Sequence, residues 1–211
     1  MKYKTYLFDF DYTLANSEKG IVLCFQYVLK NNGYHDITDE AIKKTIGLTV
    51  EDEFTIFTGI TDKDELARLK KEYVAKADQE MVANTKLYPE VLPMIDKIKQ
   101  SNAKIGIIST KYRYRIMKTL EQYEIQESVD LVVGGEDVSV AKPDPHGILK
   151  AVDELGQNKR DVLYIGDSLV DANTAKNAGI DFLGVTTGTT TKEDFKDLPH
   201  VLIVDNLSKL I

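Results

Sequence analysis

Polar and apolar positions divide the chain into short, unbroken apolar runs and longer amphipathic stretches. The runs are Tyr6–Phe10, Ile105–Ser109, Val129–Val133, Val162–Ile165, Phe182–Val185 and Val201–Val204. Each is too short for a helix and is rich in Ile, Val, Leu, Phe or Tyr. Continuous rather than alternating hydrophobicity predicts strands buried on both faces, as in a parallel sheet. Between the runs, Lys111–Glu124 carries Ile116, Leu120 and Tyr123 at helical spacing. Asp144–Leu155 follows Pro143 and holds Pro145 in its first turn, and Ser168–Ala178 stops at Gly179. Proline is tolerated where a helix begins, because its missing N–H would have no partner there, and glycine accepts the left-handed backbone that ends a helix. The repeated strand-then-helix order predicts an α/β fold with a doubly wound, mainly parallel sheet.

One stretch breaks the rhythm. Residues 16–84 hold no convincing strand. Ile21, Val22, Phe25, Val28 and Leu29 form one apolar helical stripe, and Leu66, Leu69, Tyr73 and Ala77 form another, with Lys and Glu opposite. Gly33 is the expected stop of the first helix, and Thr38 and Thr61–Asp62 are expected N-caps. The pattern therefore predicts two domains. Residues 1–15 and 86–211 form the α/β core, and residues 16–85 form a small all-helical domain inserted after the first strand, with joints near Leu14–Ser17 and Thr85–Pro89.

Composition narrows the range of partners. Lys+Arg is 27 against Asp+Glu 34, a formal net charge of −7. This argues against a nucleic-acid-binding surface, because such binding depends on neutralising phosphates. No apolar run approaches the ~20 residues that span a bilayer. The opening MKYKTYLFDF reaches an aspartate too soon for a secretory signal. The single cysteine, Cys24, falls on an apolar stripe and reads as core, and no Cys/His cluster suggests zinc. The expectation is a cytoplasmic protein without nucleic-acid or membrane partners, either a monomer or a weak homodimer. His35, His146 and His200 show no pairing pattern.

Four fragments carry candidate chemistry. In YLFDFDYTLANS, Asp9 closes the first run, and Asp11 and Thr13 follow at alternate positions. Residues i, i+2 and i+4 of an extended chain share a face, so both carboxylates are aimed at the crevice where open α/β sheets bind ligands. At about 4 Å two such charges repel by about 4 kcal/mol at an effective dielectric near 20. The arrangement survives if a cation lies between them or one is protonated. The plainer account of either Asp alone is a solvated turn after a strand. In YIGDSLVD, Asp167 follows another run, and Asp171 lies one turn further along a helix that begins near Ser168. A helix cap explains one of these carboxylates but not both. In KIGIISTK, Ser109 and Thr110 sit between a strand and a helix, where free backbone N–H groups favour an anion. Taken alone, this fragment is better read as an ordinary N-cap. In VAKPDP, Lys142 lies in a proline-stiffened loop, where a lone lysine is normally solvated. Considered together, four strand ends deliver Asp, hydroxyl, Lys and Asp to one sheet edge. Oxygen-only, carboxylate-rich ligation suits Mg²⁺, and Lys with a hydroxyl suits a phosphoryl group.

DFDYT, Ser109, Lys142 with Pro143, and GDSLVD resemble, in order and spacing, the four motifs of the haloacid dehalogenase superfamily, nearest its phosphoglycolate-phosphatase-like branch. The resemblance covers essentially the whole chain, and the helical insert resembles that family's small cap. It implies Asp9 as a nucleophile that forms an aspartyl phosphate, with Asp11 as general acid and then base. It also implies Mg²⁺ held by the Asp9 carboxylate, the Asp11 main-chain carbonyl and Asp167. Ser109, Thr110 and Lys142 would hold phosphoryl oxygens, with Asp171 and Thr13 in support. Family members that cleave carbon–halogen bonds lack an aspartate at the place of Asp11, and those that cleave phosphonates usually carry alanine there. Thr13 favours a phosphatase over a sugar-phosphate mutase, the second reading. A receiver-like phospho-aspartate signalling module, the third, lacks a helical insert. The implied substrate is a small phosphorylated metabolite. The insert is expected to close over the site, with Thr45–Gly47 either contacting substrate or merely stopping a helix. Lys111, Arg113 and Arg115 would add positive charge at the rim, the two arginines being read as a solvated helix face.

Overall fold

A computed structural model describes residues 2–210. The chain divides into two compact units, Met1–Asn16 with Leu87–Ile211 and Ser17–Lys86. Strand β1 (Thr5–Phe8) and the two-residue strand β2 (Ala15–Asn16) come first. The inserted unit then supplies helices α1 (Glu18–Asn31), α2 (Asp39–Lys43), α3 (Val50–Thr58) and α4 (Lys63–Glu80). After the two-residue strand β3 (Lys86–Leu87) the chain alternates: α5 (Val91–Gln100), β4 (Lys104–Ile108), α6 (Arg113–Gln122), β5 (Leu131–Val133) and α7 (His146–Glu154). It continues through β6 (Val162–Gly166), α8 (Leu169–Ala178), β7 (Asp181–Val185) and β8 (Leu202–Val204).

The larger unit is built on a six-stranded sheet of order β5-β4-β1-β6-β7-β8. Every pairing in it is parallel. Alternate residues face opposite sides. Phe8, Ile105, Ile107, Ile165 and Val185 pack with Ile95 and Ile98 of α5 and Ile116 and Leu120 of α6. Leu7, Ile108, Tyr164 and Phe182 pack with Ile148 and Ala151 of α7 and Ala172 and Ala175 of α8. Helices on both faces account for the unbroken apolar runs of the central strands β1, β4 and β6, which are shielded on both sides, whereas the edge strand β8 leaves Leu202 49% exposed. Each large side chain so buried contributes about 1.5–3 kcal/mol. All six apolar runs coincide with strands to within two residues at each end.

Two helix starts differ from the periodicity. Helix α6 begins at Arg113 rather than Lys111, because the Lys111 N–H donates to Ser109 Oγ and its carbonyl accepts from Gly135 N, which makes residues 109–111 a turn. Helix α7 begins at His146, with Pro145 as its N-cap residue.

The inserted unit has its own core. The α1 stripe is buried, Cys24 included, and Phe25 meets the rings of Phe54, Phe57 and Tyr73 at centroid separations of 5.1, 5.6 and 4.5 Å. Helix α1 stops at Asn31, with Gly33 in the left-handed region at φ 86°. Thr38 caps α2 by accepting from Ala41 N, and Asp62 caps α4 by accepting from Glu65 N. Thr49, which the sequence reading passed over, caps α3 in the same way. Thr45 lies between α2 and α3, and its hydroxyl donates to Ile42 O and bonds the Glu53 carboxylate at 2.8 Å. Among the described residues no helix is long and apolar enough to cross a membrane.

Candidate active site

Register brings the strand-end residues together. β1 lies between β4 and β6, with Phe8 opposite both Ile107 and Ile165. Residues just beyond these three strands therefore emerge side by side at the carboxyl edge, where doubly wound sheets bind ligands. The Asp9 N–H extends the ladder by donating to Ile165 O at 2.8 Å, and the Ser109 N–H does the same to Val133 O at 3.0 Å. After Asp9 the chain turns tightly, with Leu14 N and Ala15 N both donating to Phe10 O and Tyr12 left-handed at φ 59°.

At the centre is Lys142, whose side chain is only 5% exposed. Its Nζ donates to Asp9 Oδ1 at 2.9 Å, Asp171 Oδ1 at 2.7 Å and Tyr164 Oη at 3.3 Å. The peptide joining it to Pro143 is cis. Carboxylate oxygens of Asp9, Asp167 and Asp171 lie within 4.8 Å of one another, and all three residues are buried. Burial, the neighbouring Asp171 and Asp11 together raise the Asp9 carboxyl to about 7, against the pull of Lys142. Burial, followed by Asp171 and Asp9, raises Asp167 well above the carboxylate range. Burial opposes the charge on Lys142, but Asp171 and Asp9 outweigh it and hold the ammonium well above its ordinary value.

The donor set suits a hard divalent cation. Asp171 is fully engaged, its Oδ1 accepting from Lys142 and from Tyr164 Oη at 2.9 Å and its Oδ2 from Ser168 N at 3.1 Å and Ser168 Oγ at 2.5 Å. Asp171 therefore completes the capping box of α8 as well as pairing with Lys142. Asp9 and Asp167 are left as crowded, buried carboxylates with more negative charge than Lys142 alone offsets. Such a pair can accommodate a cation, and its oxygen-only ligands suit a hard metal ion better than a soft one.

The remaining predicted residues fall around this cluster. Thr13 Oγ1 donates to Asp167 Oδ1 at 3.3 Å. Ser109 is buried at the end of β4, and Thr110 beside it is half-buried. Asp11 does not join the three-carboxylate cluster. Its carboxylate accepts from Lys111 Nζ at 2.8 and 3.0 Å, so the charge on Asp11 is met by an ammonium separate from the Lys142 that Asp9 shares with Asp171. Arg113 is 54% exposed and pairs with Asp137, as expected of a helix rim. Arg115 is not a solvated side chain: it is 5% exposed, with its guanidinium 5.4 and 5.1 Å from the ring centroids of Tyr112 and Tyr114. Burial of Ile116, Thr119 and Leu120 beside it widens the inner face of α6 beyond the apolar stripe.

Two neighbours escaped the sequence reading. Tyr164 lies inside an apolar run, whose hydropathy gives no sign of the hydroxyl that bonds Asp171 and Lys142. Gly188 lies beyond β7, where a Cβ would overlap the Asp167 carboxylate, and Thr187 Oγ1 donates to Tyr12 O. A lone glycine in a threonine-rich loop gives no periodic signal.

Comparison with known proteins points in one direction. A family model described as haloacid dehalogenase-like hydrolase matches residues 6–185. A phosphoglycolate phosphatase of Aquifex aeolicus is 29% identical over 177 residues, covering 82% of this chain and 80% of its own. Pyrophosphatase PpaX of Listeria monocytogenes is 29% identical over 211 residues, covering 100% of this chain and 95% of its own. Among solved structures, a Bacteroides fragilis chain assigned to the haloacid dehalogenase-like hydrolases superposes with a TM-score of 0.98 at 51% identity, each chain covered in full.

Proposed function

The chain belongs to the haloacid dehalogenase-like hydrolase family, and on that premise we propose that it is a Mg²⁺-dependent phosphatase of small phosphomonoesters, working through an aspartyl phosphate on Asp9. The observation that carries this reading is the buried Asp9–Lys142–Asp171 chain with Asp167 beside it at the carboxyl edge of β1.

In this mechanism an Asp9 oxygen attacks phosphorus in line, forming the Asp9–phosphorus bond as the bond to the leaving oxygen breaks. Asp11 gives its proton to that oxygen, then takes one from the water that attacks the acyl phosphate and frees Asp9. Lys142, with Ser109 and Thr110 at the neighbouring strand end, holds phosphoryl oxygens, and Asp171 and Tyr164 hold Lys142. Asp9, Asp167 and the Asp11 carbonyl would hold Mg²⁺, which when bound would supply the positive charge that lets a phosphate dianion approach carboxylates.

A screen of small phosphorylated metabolites, with phosphoglycolate and pyrophosphate at the head of the panel and run with Mg²⁺ and with chelator, tests the reading. Release of inorganic phosphate that chelator abolishes is expected. Turnover indifferent to chelator, or none on any member, overturns it. A second expectation concerns protons. Because Asp9 holds a proton up to about pH 7, Mg²⁺ must displace it, and the affinity measured by calorimetry should weaken as pH falls from 8 to 6. Proton uptake on binding would contradict this.

A further inference from the structure

We propose that the loop after β7 sets the geometry of the metal site, Gly188 by holding the Asp167 carboxylate in place and Thr187 by holding the peptide between Asp11 and Tyr12. Both are positioning residues, and the inference rests on the reading of Asp167 and the Asp11 carbonyl as Mg²⁺ ligands.

β7 lies beside β6, with Gly184 opposite Gly166. The segment after β7 therefore emerges next to Asp167, which directly follows β6. A Cβ on Gly188 would stand 2.0 Å from Asp167 Oδ2 and 3.0 Å from its Cγ. The backbone of Gly188 thus backs one carboxylate oxygen, while Thr13 Oγ1 donates to the other at 3.3 Å. Held from both sides and buried, the carboxylate cannot turn toward the loop. The next atom that a Cβ would meet is Tyr12 Cβ, at 3.2 Å, so the severe overlap is with Asp167 alone. A methyl group at position 188 is relieved most cheaply by rotating that carboxylate out of its place, with little movement of backbone.

Thr187 acts on the other ligand. Tyr12 is left-handed at φ 59°, a conformation uncommon for any side chain but glycine. Its N–H donates to Ala15 O at 2.8 Å, and its carbonyl accepts from Thr187 Oγ1. The peptide joining Asp11 to Tyr12 is trans and planar, so its C=O and N–H point in opposite directions. Holding Tyr12 at both of its backbone groups therefore fixes the direction of the Asp11 carbonyl. One dipeptide at a further strand end thus reaches two of the three proposed ligands. Mg²⁺ demands near-ideal octahedral geometry, so a small displacement of either ligand should cost affinity.

Calorimetric titration of the full chain with Mg²⁺ alone tests this without turnover. Gly188→Ala should weaken binding by about 30-fold and Thr187→Val by about 10-fold, within the ~10–100-fold range for groups that orient metal ligands. Two double variants separate positioning from a general need for the loop. In chelator, Gly188→Ala should lower the urea midpoint. In an Asp167→Ala background the same change should leave the midpoint where it was, because the oxygen it would strike is gone. Tyr12→Gly should restore most of the Mg²⁺ affinity lost in Thr187→Val, since glycine takes the left-handed backbone without a clamp. Both comparisons survive if Gly188→Ala alone fails to fold. Unchanged Mg²⁺ affinity in Gly188→Ala or Thr187→Val, equal midpoint losses in the two backgrounds, or no rescue by Tyr12→Gly overturns the inference and leaves the metal reading standing. Absence of Mg²⁺ binding by the unsubstituted chain overturns the metal reading, and the inference falls with it.

Discussion

Asp9→Asn should lower phosphatase turnover by at least ~10⁴-fold, the scale on which enzymes lose activity when a nucleophile is removed, while the protein stays folded. The amide keeps the shape of the carboxyl but cannot form the phosphoenzyme. Lys142 still has Asp171 at 2.7 Å, so the replacement leaves no unpaired ammonium. A stability profile provides a second readout. The folded Asp9 carboxyl titrates at about 7 against an ordinary 3.8, chiefly through burial. Between those values the folded state holds the extra proton, so stability falls as pH rises. In chelator, Asp9→Asn should flatten that decline between about pH 4 and pH 7, as measured by urea denaturation. Retention of wild-type turnover would remove Asp9 from the mechanism, and an unchanged stability slope would show that Asp9 is not the buried acid described here.

Lys142→Ala should be the most damaging single change to folding at this site. The ammonium is the shared partner of Asp9 and Asp171, at 2.9 and 2.7 Å, with the side chains of all three nearly inaccessible. Removing one partner of a buried ionic cluster strands the others and costs about 3–5 kcal/mol. The loss should shrink as pH is lowered, because the stranded carboxyls can then take up protons. Denaturant midpoints at pH 8 and pH 5.5 measure this. A loss below about 1 kcal/mol at pH 8 would mean that the cluster is solvated rather than buried. Turnover should fall in parallel by about 10³-fold, the cost of losing a charge aimed at the reacting group.

Most of the sheet was legible in the sequence because burial on both faces writes each central strand as an unbroken apolar run. The helices of the inserted unit were legible because one-sided burial writes a stripe, and Thr38 and Asp62 cap by a local hydrogen bond that their side chains announce. The strand-end aspartates and Lys142 stood out because charge directly after an apolar run, or beside prolines in a loop, is conspicuous. Pairings were harder to read. Lys111 looked like one of three neighbouring cations, and only the β4–β1 adjacency separates it from Arg113 and Arg115. Helical periodicity left Arg115 on the outside, since it counts a guanidinium as polar, whereas stacking on Tyr112 and Tyr114 lets that group be buried. Tyr164 and Gly188 act through a hydroxyl and through a missing side chain, neither of which alters hydropathy.

The central place of β1 has a consequence for the order in which the protein is made. Lys111 is 100 residues from Asp11 along the chain, and Lys142 is 133 residues from Asp9. Asp9 directly follows β1, but neither flanking strand, β4 or β6, exists until the inserted unit that separates them from it in sequence has been translated. The carboxylates cannot nucleate the fold, since distant pairings form late and slowly. The drive to assemble the sheet therefore comes from its apolar strands, and the buried charges become enclosed only once β1 lies between both β4 and β6.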